Sequence, residues 1–263
     1  MTDILDLGGK IALVTGAGQN VGRQIALHFA QHGAGGVIVN DFFAERAEGV
    51  AREIREVGGK AIAVQADVTK LDSVKAMVAA AEREFGRVDI LVNNAGNAGA
   101  EPTADARKPF WETDAAEWNS FIGVNFYGPL NCGAACIPGM IQRQFGRMVT
   151  VISDAGRMGE SGLEVYSAAK AGAGGLTRAV ARSLARYNIR ANNVAIAAIG
   201  TPGIRARYAA APERLKRALE RYVIRRLGEP TDIANMVLFL ASGASDWVTG
   251  QTYPVNGGFS FAL

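Results

Sequence analysis

Three residues in the middle of the chain carry side chains that can perform proton chemistry. They are Ser153, Tyr166 and Lys170, and they fall within eighteen positions. If a helix begins at Tyr166, Lys170 lies one turn further along the same face, because positions i and i+4 stack on a helix. A cation there favours the phenolate and is expected to draw the phenol down from its ordinary pKa of about 10. The spacing therefore predicts a tyrosine that exchanges a proton with an alcohol or carbonyl oxygen, with Ser153 reaching it from the end of the preceding strand.

A glycine-rich turn near the start of the chain predicts a binding site for a dinucleotide. The apolar run 11–15 is typical of a buried parallel strand. The segment 15–22 contains three glycines and leads into a helical pattern that continues through His28 to Gly33. A strand, a glycine-rich turn and a helix together present backbone N–H groups and a helix N-terminus to a pyrophosphate.

The end of the next predicted strand, 37–41, indicates which dinucleotide binds. Asp41 closes this strand, and a carboxylate at this distance from the turn accepts hydrogen bonds from the adenosine ribose and repels a 2′-phosphate. The glycine turn contains no Arg or Lys, and Phe42 and Phe43 follow the acid. These residues favour NAD over NADP.

Alternating strand and helix patterns continue along the chain. Helices are predicted over 44–57 and 71–85 and strands over 61–65 and 88–92, and such units form a parallel sheet with helices on both faces. Ligands in these sheets bind beyond the carboxyl ends of the strands. The polar residues that follow predicted strands are Thr15, Asp41, Asp67, Asn94 and Ser153. One edge of the sheet therefore collects the side chains that can bind or react.

The second half of the chain continues the same patterns. Segment 97–114 contains Gly, Pro and mixed charge and is predicted to be a surface loop near the site. A long helix that includes Asn125 is predicted over 115–144, and another over 166–187 after a loop at 154–165. The remaining predicted elements are strands over 147–152, 189–195 and 250–255 and a helix over 230–241.

Length and composition favour a single domain, spanning 1–263, that neither crosses a membrane nor binds nucleic acid. A chain of 263 residues can bury a substantial core, and α/β folds of this length commonly form one unit. Apolar residues make up 49% but lie in short runs, and the N-terminus lacks the parts of a secretion signal. The net charge of +3 is mild, and no base-reading helix or aromatic platform is evident.

The cysteines and histidines form no recognisable redox, metal or hydrolase motif. Cys132 and Cys136 are too few for a zinc cluster and are wrongly spaced for a redox pair, which predicts buried thiols in a reducing compartment. His28 and His32 have the spacing of metal ligands on a helix, but no carboxylate partner accompanies them. No His follows His32, so Ser153 lacks the usual activating base of a hydrolase. We expect a cytoplasmic protein without a metal.

Several short motifs, in this order and at these spacings, resemble the classical short-chain dehydrogenase/reductase family over essentially the whole chain. They are Thr15-Gly16…Gly22, Asp67, Asn93-Asn94-Ala95-Gly96, Asn125, Ser153, Tyr166-x-x-x-Lys170 and Val255-Asn256-Gly257-Gly258. The resemblance implies a Rossmann-type, doubly wound α/β fold of about seven parallel strands. It also implies a homotetramer built partly from the helices that contain Asn125 and Tyr166, or a hetero-oligomer with a related subunit.

The resemblance further implies a role for each matching residue. Tyr166 would be the acid/base, Lys170 would lower its pKa and bind the nicotinamide ribose, and Ser153 would orient the substrate oxygen. Asn125 would hold a water in a proton relay from Lys170. The residues implied to contact the dinucleotide are Gly16, Gln19, Asn20, Val21, Asp41, Phe42, Asp67, Val68, Asn94, Ala95, Gly96, Tyr166, Lys170, Ile199 and Thr201.

The chain departs from the family pattern at two places. Asn20 stands where the family usually has Gly, and because Asn tolerates a left-handed backbone better than most residues, we expect the turn to survive. Ile196-Ala197 replaces the usual Pro-Gly after the sixth strand, in the segment that leads to the carboxamide contacts Ile199 and Thr201. NAD is still expected to bind.

The segment 201–229 corresponds to the variable substrate-binding region of the family, and here it is rich in cations. It holds eight Lys and Arg residues against three Glu, and Arg157 adds a cation just after Ser153. These side chains are either the solvated faces of amphipathic helices or a site for an anionic substrate such as a hydroxyacyl-CoA or a free carboxylate. In the second case Arg157, Arg205 and Arg207 are the predicted contacts.

The leading functional prediction is an NAD-dependent oxidoreductase that interconverts a secondary alcohol and a ketone by hydride transfer. The alternative is a catalytically silent subunit that acts as a scaffold or cofactor sensor in a hetero-oligomer. Asn20 and Ile196-Ala197 support the alternative, whereas the complete set of Ser153, Tyr166 and Lys170 opposes it. An NADPH-linked reductase is a third possibility, which Asp41 disfavours.

Overall fold

Parallel strands form the centre of the computed structural model, which describes residues 3–97 and 108–261. The strands are β1 (Ile11–Val14), β2 (Gly36–Asp41), β3 (Ala61–Gln65), β4 (Ile90–Asn93), β5 (Gly146–Ser153), β6 (Ile189–Ile196) and β7 (Thr252–Val255). They form one sheet in the order β3-β2-β1-β4-β5-β6-β7, and every neighbouring pair is parallel. The order reverses between β1 and β4, which is where ligands bind in sheets of this kind.

Helices cover both faces of the sheet. They are α1 (Asn20–Gln31), α2 (Ala44–Glu56), α3 (Leu71–Phe85), α4 (Ala115–Ile122), α5 (Gly128–Arg143), α6 (Ala155–Met158), α7 (Glu164–Leu184), α8 (Pro202–Ala209), α9 (Pro212–Leu219) and α10 (Pro230–Ala241). Strand β1 shows how the two layers arise, since Ala12 and Val14 join a core with α1, α2 and α10. Ile11 and Leu13 point the other way and join a core with α3, α5 and α7. The predicted Rossmann-type fold is confirmed.

The helix predicted over 115–144 is not regular. Asp114 caps its start by accepting hydrogen bonds from the N–H groups of Ala116 and Glu117. Between α4 and α5 the residues Gly123–Tyr127 form a turn of π-helix. A π turn widens the hydrogen-bond ladder by one residue and frequently marks a functional site. Asn125 lies in the middle of this turn.

Short helices occupy two segments whose structure the sequence did not predict in detail. The segment 154–165, predicted as a loop, contains α6, which follows directly after Ser153. The cationic segment 201–229 contains α8 and α9, which fits the amphipathic helices considered for it. Of the surface loop predicted over 97–114, residues 98–107 lie outside the described residues, and Phe110–Glu112 forms a single 3₁₀ turn.

The two cysteines are buried in the fold, and the ring of His28 contacts other polar side chains. Cys132 and Cys136 are free and buried, and burial raises the pKa of Cys132 to about 12. The His28 ring contacts the side chains of Gln24 and Asn235.

Within 3–97 and 108–261, no helix has both the length and the apolar character that crossing a bilayer requires.

Candidate active site

A cleft of about 1060 Å³ opens at the carboxyl edge of the sheet. Every residue predicted to contact the dinucleotide lines it, although these residues come from distant parts of the chain. They are Gly16, Gln19, Asn20, Val21, Asp41, Phe42, Asp67, Val68, Asn94, Ala95, Gly96, Tyr166, Lys170, Ile199 and Thr201. Because parallel strands end at the same edge, the residues that follow β1, β2, β3 and β4 meet in one place.

The glycine turn after β1 leaves no room for larger side chains. A Cβ atom at Gly22 would lie 2.2 Å from the carbonyl oxygen of Gly16, and one at Gly16 would lie 2.9 Å from the Cα of Ala95. Asn20 has a φ of 49°, in the left-handed region that Asn tolerates. The turn therefore survives the substitution of Asn for Gly, as the sequence predicted.

Hydrogen bonds join this turn to the end of β4. The buried hydroxyl of Thr15 accepts from the backbone N–H groups of Asn94 and Ala95, at 3.1 and 3.0 Å. The side-chain amide of Asn94 donates in return to the carbonyl oxygens of Thr15 and Gly16, at 2.9 and 3.1 Å. Both walls of the cleft are therefore fixed relative to each other at the point where the strand order reverses.

The carboxylate of Asp41 is held rigidly on the β2 side of the cleft. It accepts hydrogen bonds from the backbone N–H groups of Gly18, at 3.0 Å, and Phe43, at 3.1 Å. Its lone pairs are only partly used by these two bonds, since a carboxylate has about four acceptor sites. The carboxylate thus remains able to accept hydrogen bonds from a ligand in the cleft.

Phe43 and Arg46 also line this side of the cleft, although neither was among the predicted dinucleotide contacts. The guanidinium carbon of Arg46 lies 4.3 Å above the Phe43 ring, a cation–π contact. The prediction of NAD binding considered only the absence of Arg and Lys from the glycine turn, whereas Arg46 lies in the first turn of α2. The sequence signal that could have identified Arg46 was its position five residues after Asp41, at the start of the helix that follows this acid.

Lys170 and Tyr166 meet on the β5 side of the cleft. Lys170 is buried, and its ammonium donates to the carbonyl oxygen of Val151 at 2.8 Å. Its Nζ lies 6.0 Å from the centre of the Tyr166 ring. Burial lowers the pKa of Lys170 to about 8. The predicted juxtaposition of phenol and amine is present, with α7 supplying both.

The pKa of Tyr166 departs from the sequence prediction. Burial raises the pKa of this phenol, a hydrogen bond with Ser153 partly offsets the rise, and the negative charge of Glu160 adds to it. The prediction of a phenol acidified by Lys170 is therefore wrong for the polypeptide by itself, because desolvation of the phenolate is the largest influence on this pKa and Lys170 is not among the groups that shift it. The hydrogen bond between Ser153 and Tyr166 that the motif implied is present.

Asn125 is completely buried behind the cleft wall. Its side-chain amide donates to the carbonyl oxygen of Phe121, at 3.0 Å, and to that of Asn97, at 2.9 Å. Its Oδ1 accepts no hydrogen bond from the described residues. A Cβ atom at Gly96 would lie 2.7 Å from this Oδ1 and 3.0 Å from Nζ of Lys170, so the two polar atoms approach each other beside Gly96.

Arg157, one of the residues predicted to bind substrate, has a structural role instead. Its guanidinium pairs with the buried Asp154 at 2.6 Å and donates to the hydroxyl of Ser260 at 2.8 Å and the carbonyl oxygen of Phe261 at 3.0 Å. Arg157 does not line the cleft. The i,i+3 spacing of Asp154 and Arg157 was a local signal for this ion pair, whereas the partners Ser260 and Phe261 are too distant in sequence to be predicted.

Arg205 and Arg207, the other predicted substrate contacts, both lie on α8. Arg205 donates to the carbonyl oxygen of Gly200 and forms an ion pair with Glu229. Arg207 forms no ion pair with any described residue and is exposed. Neither lines the cleft, whereas Thr201 at the start of the helix does. The arginines therefore flank the site without entering it.

Comparison with known proteins identifies the family. A family model described as enoyl-(acyl carrier protein) reductase matches residues 16–260. The 7alpha-hydroxysteroid dehydrogenase of Escherichia coli K12 is 37% identical over 257 residues, which cover 98% of this chain and 96% of that protein. This chain belongs to the classical short-chain dehydrogenase/reductase family. The family resemblance inferred from the motifs is confirmed.

Other members of the short-chain dehydrogenase/reductase family are similarly close. The 3-oxoacyl-(acyl-carrier-protein) reductase FabG of Staphylococcus epidermidis is 40% identical over 249 residues, covering 95% of this chain and 98% of that protein. A solved 7 alpha-hydroxysteroid dehydrogenase, complexed with NADH and 7-oxo glycochenodeoxycholic acid, superposes with a TM-score of 0.89, 37% identity and 98% coverage of both chains. This family membership makes the chain an oxidoreductase that interconverts alcohols and carbonyl groups by hydride transfer with a nicotinamide cofactor.

The residues of the cleft fit a dinucleotide. Added Cβ atoms at Gly16 or Gly22 would collide with backbone, so only glycine permits this tight turn, which leads into the start of α1. The unpaired backbone N–H groups at a helix N-terminus suit a pyrophosphate. Asp41 offers acceptors for a ribose on one side. Lys170 and Tyr166 supply polar atoms on the other side.

Proposed function

We propose that this protein is an NAD-dependent secondary-alcohol dehydrogenase that reduces the corresponding ketone in reverse. The observation that carries the proposal is that Tyr166, hydrogen-bonded to Ser153, and Lys170 lie together on one side of a cleft that has Asp41 on its other side. The first three residues supply proton chemistry, and Asp41 supplies a recognition group for a ribose. A cleft with both features suits a cofactor that lies between them.

Oxidation of an alcohol removes a proton from its oxygen and a hydride from its carbon. A bound nicotinamide supplies the hydride acceptor. Tyr166, as the phenolate, accepts the proton from the alcohol, and the Ser153 hydroxyl hydrogen-bonds the same oxygen and orients it. Lys170 and Asn125, which converge beside Gly96, offer a route for this proton away from the phenol. In the reduction direction Tyr166 donates the proton instead.

The activity is tested by following NADH formation with a panel of secondary alcohols. Tyr166→Phe keeps the ring but removes the transferable proton, so kcat should fall about 10²- to 10⁴-fold while the Kd for NADH changes little. Tyr187→Phe, in the 3₁₀ turn that follows α7, is the matched control and should retain activity. If the wild-type protein binds NADH but oxidises no alcohol and reduces no ketone, it is the catalytically silent subunit considered as the alternative.

The preference for NAD is proposed to depend on Asp41. Like charges brought together in a partly buried site cost several kcal/mol, so the carboxylate should exclude a 2′-phosphate. In Asp41→Ala that repulsion is absent and Arg46 becomes available to the phosphate, so the ratio of the Kd values for NADPH and NADH should fall by about 10- to 100-fold. The double variant Asp41→Ala/Arg46→Ala should lose part of this gain. An unchanged ratio in Asp41→Ala would contradict the assignment.

The substrate is proposed to carry an anionic group, with a hydroxyacyl-CoA as the leading candidate. The support is the set of exposed cations around α8 and α9 that have no ion-pair partner among the described residues, which are Arg207, Lys216, Arg217 and Arg225. The similarity to a 3-oxoacyl-(acyl-carrier-protein) reductase adds support for an acyl thioester. Arg157 no longer contributes, because the fold already neutralises it.

This substrate class is tested with two thioesters of the same acyl group, one on CoA and one on a short neutral thiol that lacks the phosphates and adenosine of CoA. The kcat/KM for a 3-hydroxyacyl-CoA should exceed that for the same acyl group on neutral N-acetylcysteamine. Arg207→Gln/Lys216→Gln should raise KM for the CoA ester alone, and Arg182→Gln on the outer face of α7 serves as the control. Equal kcat/KM for both thioesters would eliminate the anionic substrate without affecting the dehydrogenase assignment.

A homotetramer is proposed as the working assembly. Helices α5 and α7 lie side by side and leave a mainly apolar groove of about 180 Å³, lined by Leu130, Ile137, Leu176 and Val180 among others. Apolar side chains on adjacent helices favour packing against the same surface of a second copy.

A further inference from the structure

The loop 197–201 carries the predicted carboxamide contacts into the cleft, and the substrate segment holds it from outside. The backbone N–H of Ala198 donates to the hydroxyl oxygen of Tyr222 at 3.1 Å. The carbonyl oxygen of Ala198 accepts from the N–H of Gly228 at 3.0 Å, and the N–H of Gly200 donates to the carbonyl of Gly228 at 2.8 Å. These bonds tie the loop after β6 to the chain that follows α9.

Packing supports the same connection. Ile199 and Gly228 form a parallel β-bridge. A Cβ atom at Gly228 would lie 2.8 Å from Cδ1 of Ile199, so the absence of a side chain at 228 leaves space for Ile199. Ile199 is buried but lines the cleft. The position of this cofactor-facing residue is therefore set by the segment that ends at Gly228.

Tyr222 is held tightly enough to act as a fixed hydrogen-bond partner. It is buried, its ring packs against Phe259 with a centroid distance of 5.0 Å, and Arg221 covers the Phe259 ring at 4.4 Å. A Cβ atom at Gly257 would lie 3.4 Å from the Tyr222 ring. Burial raises the pKa of the Tyr222 phenol, and the hydrogen bond from Ala198 partly offsets the rise. The hydroxyl stays protonated at neutral pH and can serve as a neutral acceptor.

We propose that Tyr222 is a positioning residue for the cofactor. Its hydroxyl holds Ala198, and through Ala198 it fixes the loop that presents Ile199 and Thr201 to the cleft. The substrate segment and the cofactor loop therefore move as one unit. This inference rests on the proposed function, since it assigns the loop to dinucleotide binding. The bond matters here because Ile196-Ala197, directly before Ala198, contains no proline that would restrict the loop by itself.

Cofactor binding provides the first test. Tyr222→Phe removes only the hydroxyl and leaves the partly buried N–H of Ala198 without this partner, a change that corresponds to about a 5- to 30-fold effect on an equilibrium. The Kd for NADH, measured by fluorescence titration, should rise by this factor. Tyr253→Phe, at a half-buried tyrosine of β7, is the matched control and should leave the Kd within twofold of the wild type. An unchanged Kd in Tyr222→Phe would overturn the proposal.

Hydrogen–deuterium exchange provides the second test and separates positioning from general destabilisation. In Tyr222→Phe the amides of 197–201 should exchange at least fivefold faster, whereas those of the β1 and β4 cores should be unchanged. A uniform increase across the whole chain would mean that Tyr222 is merely structural, and unchanged exchange at 197–201 would refute the hydrogen bond.

The two tests also distinguish failure of this inference from failure of the proposed function. If the wild-type protein binds neither NADH nor NADPH, the proposed function fails, and the exchange of the 197–201 amides still reports whether Tyr222 fixes the loop. If the wild type binds NADH and Tyr222→Phe binds it equally well, the proposed function stands and the positioning role of Tyr222 fails.

Discussion

Burial controls both titratable residues at the centre of the site. It raises the pKa of Tyr166 and lowers that of Lys170 to about 8, so desolvation pushes both side chains towards their neutral forms. Oxidation of an alcohol needs the phenolate as a base, whereas reduction of a ketone needs the neutral phenol as an acid. The rate of oxidation should therefore rise with pH, and the rate of reduction should fall.

The buried ammonium of Lys170 should cost the protein stability at neutral pH. Its pKa falls from 10.5 in the unfolded chain to about 8 in the fold. The unfolded state binds more protons between these values, so stability should rise as pH rises from about 8 to 10.5, and below pH 8 the full cost, roughly 3 kcal/mol, applies. Lys170→Met should therefore raise the free energy of unfolding at pH 7 by about 1–3 kcal/mol, while abolishing alcohol oxidation.

Urea unfolding at pH 7 and pH 10 measures this difference. The gain of Lys170→Met over the wild type should shrink at pH 10, because the wild-type amine is then neutral in the fold. Lys75→Met, at an exposed lysine on α3, should show no such pH dependence. If Lys170→Met is less stable than the wild type at both pH values, the bond to Val151 outweighs desolvation and this explanation fails.

At the scale of elements, the sequence predicted what depends on local pattern and missed what depends on contacts across the fold. The strand ends and the glycine turn follow from apolar runs and glycine positions, so Asp41, Asp67 and Asn94 could be assigned to the cleft in advance. The π turn at Asn125 could not, since 115–144 has an uninterrupted helical pattern. The contacts of Asp154 could not be predicted either, since its carboxylate accepts a hydrogen bond from Asn256, 102 positions away, at 2.6 Å.

Asp154 and Arg157 together connect α6 to residues 256–261. Arg157→Met would leave this buried carboxylate without its cationic partner, which should lower the free energy of unfolding by about 2–4 kcal/mol. Arg157→Lys should recover part of the loss, and Arg182→Met on the exposed face of α7 should cost little. Chemical denaturation measures these changes. A variant of Arg157 with normal stability and a raised KM for an anionic substrate would instead restore the substrate role predicted from the sequence.

At the scale of the whole molecule, helix α7 borders two different surfaces. Helix α7 presents Tyr166 and Lys170 to the cleft from one side, and its outer surface borders the groove shared with α5. The residue pattern of α7 alone predicts a helix but not which of its faces meets another subunit. A self-complementary contact at this groove would therefore brace the helix that carries the proton chemistry.

The proposed homotetramer should dissociate when charge is placed in this groove. Leu130 on α5 is 39% exposed although it is apolar, and Val180 lines the same groove from α7. In Leu130→Glu/Val180→Glu, each subunit would have to bury carboxylates against the same carboxylates of its partner, and like charges in a desolvated interface are strongly unfavourable. Light scattering after size exclusion should then show a smaller species, whereas Val57→Glu, at a residue 72% exposed at the end of α2, should leave the assembly intact. A monomeric wild type, or a double variant that keeps the wild-type mass and still binds NADH, would contradict assembly through α5 and α7.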